Sequence, residues 1–173
     1  MNKELLRKKY KLIRESILEK DKKDEIIFNK VINDDFIKNC STILIYVSIK
    51  DEVDTLKLIK YFLKTKKIAV PKVENNKIIF YYINNLDELV SGYFGILEPI
   101  SDKKVTNFNE CVCITPGICF DENNYRIGYG KGFYDKFFDE TNIYKIGLCY
   151  KECIVRKISI DKFDKRVEKV ITD

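Results

Sequence analysis

The chain has 173 residues, 45% hydrophobic and 34% charged, the balance of an ordinary soluble globular protein large enough for one packed core. Its 32 basic and 27 acidic residues leave a net charge of +5 spread along the chain. Runs such as Lys64-Thr65-Lys66-Lys67 therefore read as solvated faces, and no nucleic-acid partner is expected. Histidine is absent, which excludes a histidine triad or general base. No apolar run approaches the ~18 residues needed to span a membrane, and the charged N-terminus is no secretory signal.

Cys40, Cys111, Cys113, Cys119, Cys149 and Cys153 form no C-x-x-C pair, so reduced thiols in a cytoplasmic protein are expected rather than a zinc site. Residues 3–19 predict an amphipathic helix, with Leu6, Tyr10, Ile13 and Ile17 inward and Lys and Arg on the other faces. A second helix is predicted over about 22–32, with Ile27 and Val31 inward, and a short helix or loop over Asp34 to Asn39. Thr42 to Ser48, TILIYVS, predicts a buried strand. Asp54 then caps a helix running to about Lys64, with Leu56, Ile59 and Leu63 on one face. That leaves Glu52 in the loop at a strand's C-terminal end, where open α/β sheets place ligands. A loop glutamate is usually solvated, and position alone favours that reading over a functional one.

Lys67 to Pro71 and Ile78 to Ile83 predict two strands joined by a hairpin turn. A short helix at about 86–90 and a polar surface connection over 99–110 follow. Strands are expected again at Cys111 to Thr115, Tyr144 to Cys149, and Val167 to Thr172, the last as an edge. No repeat or linker divides the sequence, so a single domain over 1–173, and a monomer, is expected. Strands alternating with helices predict a three-layer α/β fold: a mainly parallel, Rossmann-like sheet with helices on both faces. Glu52 and the segment after Thr115 would then meet at one sheet edge.

That segment carries the chemistry. Pro116-Gly117 breaks the strand, Asp121-Glu122-Asn123-Asn124 turns, and Arg126-Ile127-Gly128-Tyr129-Gly130-Lys131-Gly132-Phe133-Tyr134-Asp135 follows. Three of the seven glycines sit here at alternate positions, allowing positive φ and close approach of a ligand to the main chain. Phe133, Phe137 and Phe138 predict a helix beginning near Gly132, whose free N–H groups would attract an anion. Arg126 and Lys131 add positive charge, and Asp135 is a candidate ligand for a divalent cation. The pattern is neither a P-loop nor a G-x-G-x-x-G dinucleotide motif. It reads as a polyphosphate cradle, against the alternative of a flexible surface turn.

The stretch PGICFDENNYRIGYGKGFYD resembles the signature of the 5-formyltetrahydrofolate cyclo-ligases (methenyltetrahydrofolate synthetases). KELLR, YVSIKDEVDT, IAVPKV, GILEP and the closing IDKFDKRVEKVITD resemble further family segments, in family order. The resemblance implies ATP- and Mg²⁺-dependent cyclisation of 5-formyltetrahydrofolate to 5,10-methenyltetrahydrofolate. It implies ATP contacts from Lys3, Glu4, Leu5, Leu6 and Arg7, and from the loop Arg126, Ile127, Gly128, Tyr129, Gly130, Lys131, Gly132, Phe133 and Tyr134. Arg126 and Lys131 would be catalytic. Val47, Glu52 and Phe133 would bind the folate, and Asp135 and Asp164 would hold Mg²⁺.

The sequence departs from the family pattern at three points. Phe163 stands where a histidine is frequent before the last aspartate, so Asp164 is assigned by spacing. Phe133 replaces a frequent tyrosine, and Asn124-Tyr125 stands where a turn glycine is common. Two other classes fit parts of the chain. A nucleotide-binding module without turnover would use the same loop but leave Glu52 unexplained. A small basic RNA-binding domain would lack the aromatic strand such domains use.

Overall fold

Four consecutive buried residues make β1 (Thr42–Ile45) the middle of the molecule. In the computed structural model, which describes residues 2–92 and 95–173, alternate side chains of β1 enter different cores. Ile43 and Ile45 belong to one cluster and Leu44 to another. The neighbours of β1 are β2 (Lys67–Glu74) and β6 (Cys111–Thr115), both parallel to it. Beyond β6 come β9 (Tyr144–Leu148) and then β11 (Lys169–Ile171), also parallel, and β3 (Lys77–Ile83) closes the other side antiparallel to β2. The six-stranded sheet is ordered β11-β9-β6-β1-β2-β3. The fold is thus mixed α/β with a mostly parallel sheet.

The helices follow from where the apolar residues must go. Ile27 and Val31 of α2 (Lys20–Ile32), Ile37 of α3 (Asp35–Asn39), and Leu58, Ile59 and Phe62 of α4 (Leu56–Phe62) pack in the cluster of Ile43 and Ile45. Phe137 and Phe138 of α5 (Phe133–Glu140) pack in the cluster of Leu44, Ala69 and Phe80. Truncating such a buried phenylalanine to alanine costs about 3–5 kcal/mol. α1 (Lys3–Ser16) lies elsewhere. Its Leu6 packs on a small second sheet of β7 (Cys119–Asp121), β8 (Arg126–Ile127) and β10 (Ile154–Val155). A separate hairpin joins β4 (Leu89–Ser91) and β5 (Leu97–Pro99).

Several elements differ from expectation for identifiable reasons. The strand expected over Thr42 to Ser48 pairs only as far as Ile45. Thr55, fully buried, replaces the ladder: its Oγ1 donates to Tyr46 O (2.7 Å) and accepts from Ser48 N (2.9 Å). Those bonds fix the loop that carries Glu52. Asp54 does accept from Leu56 N at 2.8 Å, but the helix runs only from Leu56 to Phe62. The first helix ends at Ser16, and the short helix expected at 86–90 is a 3₁₀ turn, Leu86–Glu88. The connection over 99–110 is more than surface, because Val105 is buried and Lys104 bridges to Tyr81. The expected hairpin turn is present, with Asn75 and Asn76 at φ 47 and 61, the left-handed pair its two-residue loop demands.

The β7–β8 hairpin crowds against the main sheet. Phe120, fully buried, lies against Gly117 and Gly147; a Cβ at Gly117 would sit 2.5 Å from its ring, and one at Gly147 would collide with its other edge. Only glycine fits at either place.

Candidate active site

The glycine loop leaves β8 and ends on α5. Gly130 has φ +96 and Gly132, the N-terminal cap of α5, has φ +67, values that favour glycine over any L side chain. Arg7 leans along the loop: its Nε donates to Gly128 O at 2.9 Å, and a Cβ on Gly130 would lie 3.4 Å from its Cζ. Asn2 caps α1 by accepting from Leu5 N. One turn before Arg7, Lys3 pairs with Asp161 (2.8 Å) and Asp164 (2.5 Å). Burial works against the Lys3 ammonium, but the two carboxylates outweigh it and raise its pKa. So Lys3, Arg7, the glycine loop and Asp164 converge. Glu4 instead faces outward to Lys8, Leu5 is exposed, and Leu6 is in the core.

Within the loop the two expected cations occupy different settings. Arg126 is buried; its Nη1 donates to Asp135 Oδ1 and to Lys165 O, each at 3.1 Å, and its guanidinium lies over the rings of Tyr134 and Phe138. Lys131 is exposed and makes no ion pair among the described residues. Ile127 is buried, Phe133 packs against the α5 core, and the Tyr134 hydroxyl is buried with no hydrogen-bond partner among the described residues.

On the folate side expected from the resemblance, Val47 is buried and Glu52 is only 9% exposed. Glu52 Oε2 accepts from Ile49 N at 3.0 Å and Oε1 from the Tyr129 hydroxyl at 2.8 Å. Burial raises the Glu52 pKa against the pull of these bonds and of Arg14. Burial and the adjacent carboxylate push the Tyr129 hydroxyl up to about 12. Its ring exposes Tyr129 to 44%, yet its hydroxyl is the inserted end. A loop residue and a residue after β1 thus touch, which is the meeting at one sheet edge that alternating strands and helices predict.

Arg14 completes this arrangement and was not singled out by the sequence. Its Nη2 donates to the Tyr129 hydroxyl at 2.8 Å, while its Nε and Nη1 are buried and have no partner among the described residues. An unsatisfied buried donor of this kind costs about 1–3 kcal/mol. A cavity of about 10 Å³, lined by Arg14, Glu52, Tyr46 and Tyr150 among others, lies beside it. The available signal was spacing: Lys3, Arg7 and Arg14 recur along one stripe of α1.

Among the described residues no three His, Cys, Asp or Glu side chains converge on a metal position. Asp135 and Asp164 still suit magnesium, which takes one or two carboxylates and completes its shell with phosphates and water. Lys165 N donates to Asp135 Oδ1 at 3.1 Å, which brings Asp164 and Asp135 into one neighbourhood. Asp135 Oδ2 and Asp164 Oδ1 accept no hydrogen bond among the described residues. All six cysteines are free and buried. No helix among the described residues is long and apolar enough to cross a membrane.

Comparison with known proteins bears on this geometry. A model of the 5-formyltetrahydrofolate cyclo-ligase family matches residues 1–173. A probable 5-formyltetrahydrofolate cyclo-ligase of Schizosaccharomyces pombe is 30% identical over 155 residues, covering 78% of this chain and 76% of its own. The solution structure of Aquifex aeolicus 5,10-methenyltetrahydrofolate synthetase superposes with TM-score 0.87 at 31% identity, over 99% of this chain and 89% of that one. The corresponding Mycoplasma pneumoniae enzyme gives 0.80 at 26% identity, over 100% and 99% of the two chains.

Proposed function

Starting from the 5-formyltetrahydrofolate cyclo-ligase family, to which this chain belongs, we propose how its own residues carry out the ATP-dependent ring closure. The chain is a 5-formyltetrahydrofolate cyclo-ligase of folate one-carbon metabolism. Its substrate's formyl oxygen is a poor leaving group. In the proposed sequence that oxygen attacks the γ-phosphorus of ATP, and the bond to ADP breaks. N10 then attacks the formyl carbon, loses its proton, and the carbon–oxygen bond breaks to release phosphate. The product is 5,10-methenyltetrahydrofolate.

The protein's task in this scheme is positioning and charge stabilisation, so no protein nucleophile is needed. Lys3, Arg7 and the N–H groups from Gly128 to Tyr134 hold the phosphates. Lys131 meets the charge that develops on the transferred group. Arg126 acts from beneath the loop, by its field and by fixing Asp135. Asp135 and Asp164 would hold Mg²⁺, which when bound neutralises phosphate charge. Glu52, with Val47 and Phe133, binds the reduced pterin. The protein works as a cytoplasmic monomer.

The hydrogen bond from the Tyr129 hydroxyl to Glu52 carries this reading, because it joins the phosphate loop to a buried carboxylate suited to a neutral ring. The test is near-UV absorbance of 5-formyltetrahydrofolate with ATP and Mg²⁺. Growth of the methenyl band, lost without ATP or without metal, is the expected result. A flat trace from folded, ATP-binding protein would leave a nucleotide-binding module instead.

A further inference from the structure

Arg14 is 7% exposed, and two of its three guanidinium nitrogens have no acceptor among the described residues. The third and Glu52 meet at one atom, the Tyr129 hydroxyl oxygen, 2.8 Å from each. The cavity beside them has room for about one water and none for a ring. Tyr129 is the exposed member of the trio, so a ligand reaching Arg14 and Glu52 together arrives where that hydroxyl now sits.

A buried cation beside a buried anion is neutral as a pair. It repels neither charge sign outright, but an incoming carboxylate would be set against Glu52 and an incoming ammonium against Arg14. What fits is an uncharged edge with donors for Glu52 and an acceptor for Arg14. A reduced pterin has that edge: the 2-amino group and N3–H are donors, and the 4-oxo group next to them is an acceptor. We propose that Arg14 is the specificity-determining partner of Glu52 in pterin recognition, donating its unpaired N–H groups to the 4-oxo oxygen while Glu52 accepts from the ring N–H groups. The Tyr129 hydroxyl holds the gap between them in the ligand-free protein. This inference rests on the reading that Glu52 binds the pterin.

The test is calorimetric and needs no turnover. The unaltered protein is titrated with 5-formyltetrahydrofolate and with its 4-amino-4-deoxy counterpart, which presents a donor where Arg14 needs an acceptor. A preference for the 4-oxo ligand of about 10²-fold is expected, since a buried donor left unpaired discriminates strongly. Equal affinities would overturn the inference without any substitution. Arg14→Met should lose that preference and keep its affinity for a non-hydrolysable ATP analogue, and Arg14→Lys, with a single donor nitrogen in place of the planar fork, should recover part of it. Full preference retained in Arg14→Met would also overturn it. If both ligands bind equally and Glu52→Gln weakens both, only the role of Arg14 falls. If neither ligand binds the unaltered protein, the pterin reading falls with it.

Discussion

Glu52 and Lys131, the two ends of the proposed site, live in different solvents. The carboxylate is 9% exposed, anchored by Ile49 N and the Tyr129 hydroxyl, and has Arg14 close by. The ammonium is exposed, with no ion pair among the described residues. A buried group held by fixed partners selects by hydrogen-bond pattern, because any mispairing leaves it unsatisfied. An exposed charge selects by sign and is weakened by salt. On the proposed reading, the site thus divides into a half that reads a flat neutral ring and a half that gathers phosphate.

The sharpest way to break that division is at its exposed end. Lys131→Ala should lower kcat by roughly 10²-fold if the ammonium meets charge only in the transition state, with the folate KM little changed; steady-state kinetics checks both, and an unaltered kcat would remove Lys131 from the chemistry. At the buried end, Glu52→Gln should raise the folate KM by roughly tenfold, the effect of one lost charged hydrogen bond, and leave the ATP KM nearly constant. Equal changes in both would make Glu52 structural.

Acidity separates the halves in another way. Because burial raises the Glu52 pKa above its ordinary 4.5, the folate KM should rise as pH falls through that elevated value, and Glu52→Gln should abolish this acid limb. The sign for stability is the opposite one. The folded state binds the Glu52 proton more tightly than the unfolded state, so its contribution is full below the unfolded pKa and lost as pH rises through the folded one. Thermal melts should therefore show Glu52→Gln gaining on the parent chain from acid to neutral pH.

Salt should act on one half only. Raising ionic strength from about 0.1 M to 1 M shortens the screening length from about 10 Å to 3 Å, so the ATP KM should climb several-fold while the folate KM holds. The smallest effect is expected at Lys3, whose pairs with Asp161 and Asp164 tie α1 to the closing turn. Partial exposure limits Lys3→Met to a loss of about 1 kcal/mol or less in chemical denaturation.

What the sequence made readable was local. β1, the Asn75-Asn76 turn and the start of α5 at Gly132 follow from β-branched runs, left-handed turn residues and a glycine before an aromatic period. The nearness of Glu52 to the loop followed from topology. Arg14 escaped because an arginine on a basic helix stripe looks solvated until the fold buries it beneath Tyr129. The strands β7, β8 and β10, two or three residues each, are too short to show a period. Nor could spacing reveal that Arg126 is spent on Asp135 and Lys165 O rather than facing open solvent.

Phe120, held between its near neighbour Gly117 and the sequence-distant Gly147, ties the three positions into one evolutionary unit. Alanine at either glycine is intolerable while the ring is there, and a smaller residue at 120 leaves a void while the glycines are there. Each change is harmful alone and offsets the other when combined, so such lineages must cross the intermediate or move together. Any scheme that scores substitutions one at a time will mark all three positions as fixed, although only their combination is.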